Sequence, residues 1–135
     1  MTHTGKCLCG HITLAIDSDP IGSRTCWCTD CQKFGGGNGT TNAFFPADSI
    51  THTGELTWFE KVADSGNTTW RAFCPQCGTH VFTRGSGRPE YTGVRMGMLD
   101  EKDLIAPQAV IWTESAPPWA TFDPKLPHFP KAPPQ

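Results

Sequence analysis

Leucine, isoleucine, valine and phenylalanine together number 24 in a chain of 135 residues, roughly 18%. The sequence is therefore short of the side chains that normally fill a core. So low a fraction raises the question of disorder, but a formal net charge of −2 is too small to hold a chain open by self-repulsion. The longest apolar run is Ala109 to Trp112, far below the roughly 18 to 20 residues of a membrane helix, so a soluble protein without a membrane partner is expected. The N-terminus, MTHTGKCLCG, has neither an apolar stretch of signal-peptide length nor a small-residue cleavage pattern, which points to the cytoplasm. A basic run is also missing. With 11 Lys and Arg against 13 Asp and Glu, nothing forms an electrostatic footprint for nucleic acid. There is no internal repeat beyond cysteine pairs and no linker, and the length is that of one domain spanning 1–135.

What the chain has instead is seven cysteines, 14 glycines and 12 prolines. Thin-cored domains add staples, either disulfides or metal. An odd number of cysteines cannot all pair within one chain, and in a reducing compartment cysteine clusters are more often metal ligands or catalytic groups than disulfides.

The regular signal is mostly β. Ile12, Leu14 and Ile16 alternate with Thr13 and Ala15, which predicts a strand. Further strands are expected at Leu56 to Val62, Thr68 to Phe73, His80 to Thr83, Tyr91 to Met98 and Ala109 to Thr113, each bounded by Gly, Pro, Asn or Asp. They predict a small twisted sheet assembly. One short helix is expected, with Thr29 and Gln32 as a capping box, Cys31 in the first turn, and Gly35-Gly36-Gly37 as the stop. Seven of the 12 prolines lie between Pro117 and Pro134. That segment is expected to be extended, and its Trp119, Phe122, Leu126 and Phe129 to pack across the body of the domain.

The strongest motif is Cys74-Pro75-Gln76-Cys77-Gly78, a knuckle whose tight turn brings two sulfurs to one cation. Cys7-Leu8-Cys9 places two side chains on one side of an extended backbone and is again followed by glycine. Cys26-Trp27-Cys28-Thr29-Asp30-Cys31 holds the other three thiols. If the knuckle completes a four-thiolate site with Cys7 and Cys9, three cysteines remain together. Closed four-ligand zinc is structural, whereas three protein ligands with an open fourth position is how catalytic zinc is commonly held. Four plus three thus predicts two different zinc ions. Competing readings are disulfides, ordinary buried thiols, or a second closed site completed by Asp30, His11, His52 or His80.

The order GKCLCG, CWCTDC, FCPQCG, GMLD and SAPPW resembles the glutathione-dependent formaldehyde-activating enzyme family, a domain type also found in centromere protein V. The resemblance runs from Gly5 to about Phe129. It implies a mostly β, zinc-stapled "β-tent" fold, with Cys7, Cys9, Cys74 and Cys77 on the structural zinc and Cys26, Cys28 and Cys31 on the catalytic one. It also implies a carbon–sulfur lyase chemistry, in which glutathione adds to formaldehyde to give S-hydroxymethylglutathione. Trp27 stands where family members often have histidine, which would make the local surface apolar. A non-catalytic zinc-stapled module that binds a protein partner is the alternative function.

Other side chains carry weaker expectations. The Gly35 to Gly39 run could offer amide groups to a carboxylate but reads as a turn. Asp30 could move a proton but reads as an exposed acid in the helix's first turn. Arg71 and Arg95 could receive substrate carboxylates, although solvated arginines are the expectation. His3 and His128 read as solvated, His11 and His80 as surface groups beside the cysteine pairs, and Trp70, Trp112 and Trp119 as core.

Overall fold

The alternation at Ile12, Leu14 and Ile16 is realised in β2 (Thr13–Ile16), where Leu14 and Ile16 are buried and Thr13 and Ala15 exposed, in a computed structural model that describes residues 2–101, 103 and 105–133. β2 lies between β1 (His3–Lys6) and β5 (Ile50–Thr53) in an antiparallel three-stranded sheet. The remaining strands form a seven-stranded sheet. They are β3 (Gly22–Cys26), β4 (Thr40–Pro46), β6 (Thr57–Val62), β7 (Thr68–Phe73), β8 (His80–Gly85), β9 (Tyr91–Arg95) and β10 (Val110–Ile111), in the spatial order β10-β3-β4-β9-β8-β7-β6. All its pairings are antiparallel except β10 on β3. The one α-helix among the described residues is α1 (Thr29–Phe34). The fold is mostly β, as the strand signals predict, and no helix among the described residues is long and apolar enough to cross a membrane.

The core is the seam between the two sheets. Ile12, Leu14 and Ile16 from the small sheet join Ala43, Phe45, Ala72, Val81, Phe82 and Val94 from the large one, with Met98, Leu99 and Ile105 beside them. Cys7 and Cys74 belong to the same buried cluster. Because strand side chains alternate between faces, the residues next to Ala43, Ala72 and Val94 point to the other side of the large sheet. Asn42 and Phe44 flank Ala43, Arg71 precedes Ala72, and Arg95 follows Val94. That face is the floor of a cavity.

Several expectations need adjustment. The strand expected over Tyr91 to Met98 ends at Arg95, and Met96–Met98 is a 3₁₀ turn. The strand expected over Ala109 to Thr113 keeps only Val110–Ile111 before a second 3₁₀ turn at Thr113–Ser115. The capping box is displaced by one residue. Cys28 is the N-cap, its sulfur accepting from the Cys31 N–H at 3.3 Å, while Gln32 donates to the Trp27 and Ser115 carbonyls. The C-terminal segment does pack across the body, through bonds from Val110 N–H to Pro127 O (3.0 Å), Phe129 N–H to Val110 O (2.9 Å) and Thr113 N–H to Phe129 O (3.1 Å). Pro134 lies outside the described residues.

Candidate functional site

Two clusters of thiols stand where the spacing predicts them. The sulfurs of Cys7, Cys9, Cys74 and Cys77 all lie within 4.8 Å of one another, and so do those of Cys26, Cys28 and Cys31. All seven are free thiols, so the disulfide reading is overturned. No histidine or carboxylate joins the trio among the described residues, so Asp30, His11, His52 and His80 do not close it.

The four-sulfur cluster is built from two turns pinned together. Cys7 to Gly10 is not extended as the alternation predicts. It is a tight turn closed by the Gly10 N–H on Cys7 O at 3.1 Å, and the 74–78 turn, one residue longer, is closed by the Gly78 N–H on Cys74 O at 2.9 Å. Gly10 and Gly78 take φ of 84° and 76°, which other residues resist. The Leu8 N–H donates to Thr79 Oγ1 at 3.2 Å and joins the two turns. Sulfur separations of 3.7 Å are found for Cys7 to Cys9 and Cys9 to Cys74. Tetrahedral zinc with a zinc–sulfur distance of about 2.3 Å requires about 3.8 Å between sulfurs, so the spacing fits that ion. Donors favour the thiolate at two of these cysteines. Burial opposes ionisation of Cys7, yet the Ile12 N–H on its sulfur (3.2 Å) and neighbouring thiols bring it below the ordinary value. The Thr79 hydroxyl, 3.1 Å from Cys77 Sγ, pulls that thiol down to about 5.

The trio differs in its surroundings. Cys26 ends β3, Cys28 caps α1 and Cys31 is in the helix's first turn, so a strand end and a helix start hold three sulfurs at one point. Hydrogen bonds from the Cys26 and Cys28 thiols, with help from Thr40 and the positive charge of Arg95, hold Cys31 far below the ordinary thiol range. Cys26 is correspondingly pushed up by the Cys28 and Cys31 sulfurs. Such a cluster already favours one thiolate, which is the ligating form. Both clusters are compatible with metal ions of the zinc type.

The trio opens onto a cavity of about 550 Å³ that runs along the large sheet to Gly85 and Arg88, within the size range of small-molecule sites. No Asp or Glu is among the described residues that line it. Four arginines face it instead. Arg71 and Arg95, expected to be solvated, are 7% and 6% exposed. Arg95 donates to Thr40 Oγ1 (2.9 Å) and Asn42 Oδ1 (2.8 Å) while its Nε and Nη2 are buried without a hydrogen-bond partner. Arg71 lies 5.0 Å from the Phe34 ring and 3.9 Å from Asp30, with its Nε unpartnered. Arg24 stacks on Phe44 at 4.6 Å, and burial lowers its pKa, with repulsion from Arg88 adding to the effect. Arg84 also borders the cavity, but its guanidinium turns to the other face, onto Thr92 and Trp58.

The remaining candidates sort themselves by position. Trp27 does not make the site apolar. It is buried and packs edge-on against Trp119 and Phe122, with ring centroids 6.4 and 5.6 Å away. Asp30 is in the first turn, as predicted, and is bound by Lys61 at 2.8 and 2.9 Å. The glycine run serves the helix end, through Gly35 N–H to Cys31 O and Gly37 N–H to Gln32 O. His3 is buried against Phe45 rather than solvated, His128 is exposed, and His80 is half-buried between Phe34 and Phe73. Trp119 is 64% exposed rather than core, and Trp112 lines the cavity. The missed residues are Arg24 and Arg88. Period-two spacing from Cys26 places Arg24 on the same face, a signal present in the sequence, whereas Arg88 arrives by a loop that carries none.

The family model described as glutathione-dependent formaldehyde-activating enzyme matches residues 2–115. A crystal structure of a Rhodobacter sphaeroides protein has a similar fold, with a TM-score of 0.60 at 21% identity, covering 77% of this chain and 96% of that one.

Proposed function

The chain belongs to the glutathione-dependent formaldehyde-activating enzyme family, and from that premise we propose that it is a zinc-dependent carbon–sulfur lyase. It acts on a thiol–aldehyde adduct, with glutathione and formaldehyde as the pair the family implies. The observation that carries the reading is the position of the Cys26, Cys28 and Cys31 sulfurs on the wall of a cavity faced by four arginines, with no Asp or Glu among the described residues that line it. In this reading Cys7, Cys9, Cys74 and Cys77 hold a structural zinc that staples one domain over 1–135, and the trio holds the catalytic zinc, in a reducing cytoplasm that keeps the thiols free. Bound at the trio, zinc would supply an open coordination position that favours the thiolate form of an incoming thiol.

The protein's own groups supply the rest. Arginine recognises carboxylates through paired N–H donors, and the unpartnered donors of Arg71 and Arg95 are directed to a peptide-like thiol with ionised carboxyl groups. Holding the thiol this way turns its encounter with formaldehyde into an oriented one. The sulfur forms a bond to the carbonyl carbon, the carbon–oxygen π pair moves to oxygen, and the thiol proton ends on that oxygen. Cleavage is the reverse, and no oxidant or reductant is consumed.

The test is the exchange rate between free thiol and adduct in mixtures of glutathione and formaldehyde with the zinc-loaded protein. Acceleration above the uncatalysed rate, abolished in Cys28→Ala, is expected. No acceleration by the wild type, or none lost in Cys28→Ala, would refute the assignment.

A further inference from the structure

Glutathione carries two carboxylates and one ammonium, whereas the cavity is furnished for one sign only. Arg24, Arg71, Arg88 and Arg95 face it, and no Asp or Glu is among the described residues lining it. Carboxylates neutralise little of this charge. Arg95 is held by a hydroxyl and an amide oxygen, Arg24 by the face of Phe44, and Arg71 has a single carboxylate, Asp30 at 3.9 Å, which Lys61 already grips through both oxygens. Buried guanidiniums with unsatisfied donors are costly unless a ligand completes them, and here Nε of Arg71 and both Nε and Nη2 of Arg95 are in that state. A trio of thiolates with a doubly charged zinc adds a formal −1, leaving the four arginines in clear excess. An anion is what the cavity lacks, and a free ammonium entering it meets repulsion from several sides with no acid to receive it.

We infer that the cavity selects a thiol whose ionised groups are all anionic, a peptide thiol with a capped amine in preference to one with a free ammonium. The inference rests on the thiol–aldehyde reading of the trio and adds to it the charge pattern of the thiol. Arg71 and Arg95, the buried pair, take the group nearest the sulfurs, and Arg24 and Arg88 take the one farther out. One like-charge pair at roughly 8 Å weakens binding about twofold even in water, so several together set a discrimination on the order of tenfold.

Three probes separate the contributions: glutathione, N-acetylglutathione, which keeps both carboxylates and loses the ammonium, and glutathione diethyl ester, which does the opposite. With zinc-loaded wild type and formaldehyde, kcat/KM is expected to rise on the order of tenfold from glutathione to the N-acetyl compound and to fall by at least tenfold for the diester. Arg88→Gln, at an exposed position, is expected to reduce the preference for the N-acetyl compound at least twofold. The S-methyl derivatives of the same probes report binding without reaction. If no thiol is accelerated, the catalytic reading fails and S-methyl binding decides the inference by itself. A preference for the N-acetyl compound below threefold, a preference for glutathione, or no change of preference in Arg88→Gln overturns the inference, whether or not the reaction is catalysed.

Discussion

Replacing Trp27 with alanine probes the wall behind the trio without touching a sulfur. A tryptophan buries roughly 150–250 Å², and at ~25 cal/mol per Å² complete burial is worth about 5 kcal/mol. Allowing for a compact unfolded chain brings this to about 3–4 kcal/mol. Trp27 is 5% exposed, so nearly all of that applies. Its partners Trp119 and Phe122 belong to a surface segment that can settle into the space, which favours the lower end of the range for such truncations. The expected loss is therefore about 3 kcal/mol, read from urea unfolding followed by circular dichroism in saturating zinc. Trp27→His should lose less, about 2 kcal/mol, because the ring keeps part of the contact. Since Trp27 faces the C-terminal segment and not the cavity, kcat/KM per folded molecule should stay within about threefold of wild type. A stability loss below about 1 kcal/mol, or a large rise in KM with stability intact, would refute this account of Trp27.

Stepwise chelation should release the trio metal first with the far-ultraviolet spectrum unchanged. Loss of the four-sulfur metal should coincide with unfolding, because structural zinc contributes about 10–16 kcal/mol against a total stability of roughly 5–15; a metal-free chain with unchanged Tm would contradict it. Lys61→Ala removes an exposed partner of Asp30 and should cost less than about 1 kcal/mol, an effect that 1 M salt (roughly a 3 Å screening length) erases; a loss above about 2 kcal/mol would mean the pair anchors the helix. Burial, then the charges of Arg95 and Arg71, lower the His80 pKa, so its imidazole should remain neutral in an NMR titration at pH values where a histidine in an unfolded peptide is already protonated. The unfolded chain then binds more protons, so this residue's contribution to stability is complete above about pH 6.5 and shrinks as pH falls below it; an unshifted His80 titration would contradict that sign.

The sulfur clusters were legible because ligand chemistry constrains local spacing. Two cysteines separated by one or two residues and followed by a glycine leave few geometries, and in both turns the glycine N–H closes onto the carbonyl of the first cysteine. β2 was legible for a related reason, since one of its faces is buried and the other exposed. β4 was not, although it is central to the large sheet. Both its faces are enclosed, with Ala43 and Phe45 in the core and Asn42 on the cavity side, so no alternation of polarity marks it. β3 reads as polar because Arg24 and Ser23 satisfy partners that only the folded chain brings near. The sequence alone predicts solvated side chains for Arg71 and Arg95, whereas both are buried, because their environment depends on strands distant in sequence. A buried arginine is recognisable only once the aromatic and hydroxyl groups that shelter it are in place, and Phe34, Thr40 and Asn42 come from elements far from Arg71 and Arg95.

The cavity wall includes Ala132 and Pro133, which lie beyond the 2–115 stretch matched by the family model. These residues reach the cavity because the C-terminal segment is bonded along β10, from Val110 through Trp112 to Lys131, and β10 is parallel to the strand that ends in Cys26. Part of the wall that a guest must pass is thus written outside the stretch that carries the reacting groups. A change in the length or composition of the segment after Ser115 can alter which molecules enter while the sulfurs stay in place, so a lineage can acquire a new guest by editing its last strap and leave its chemistry alone.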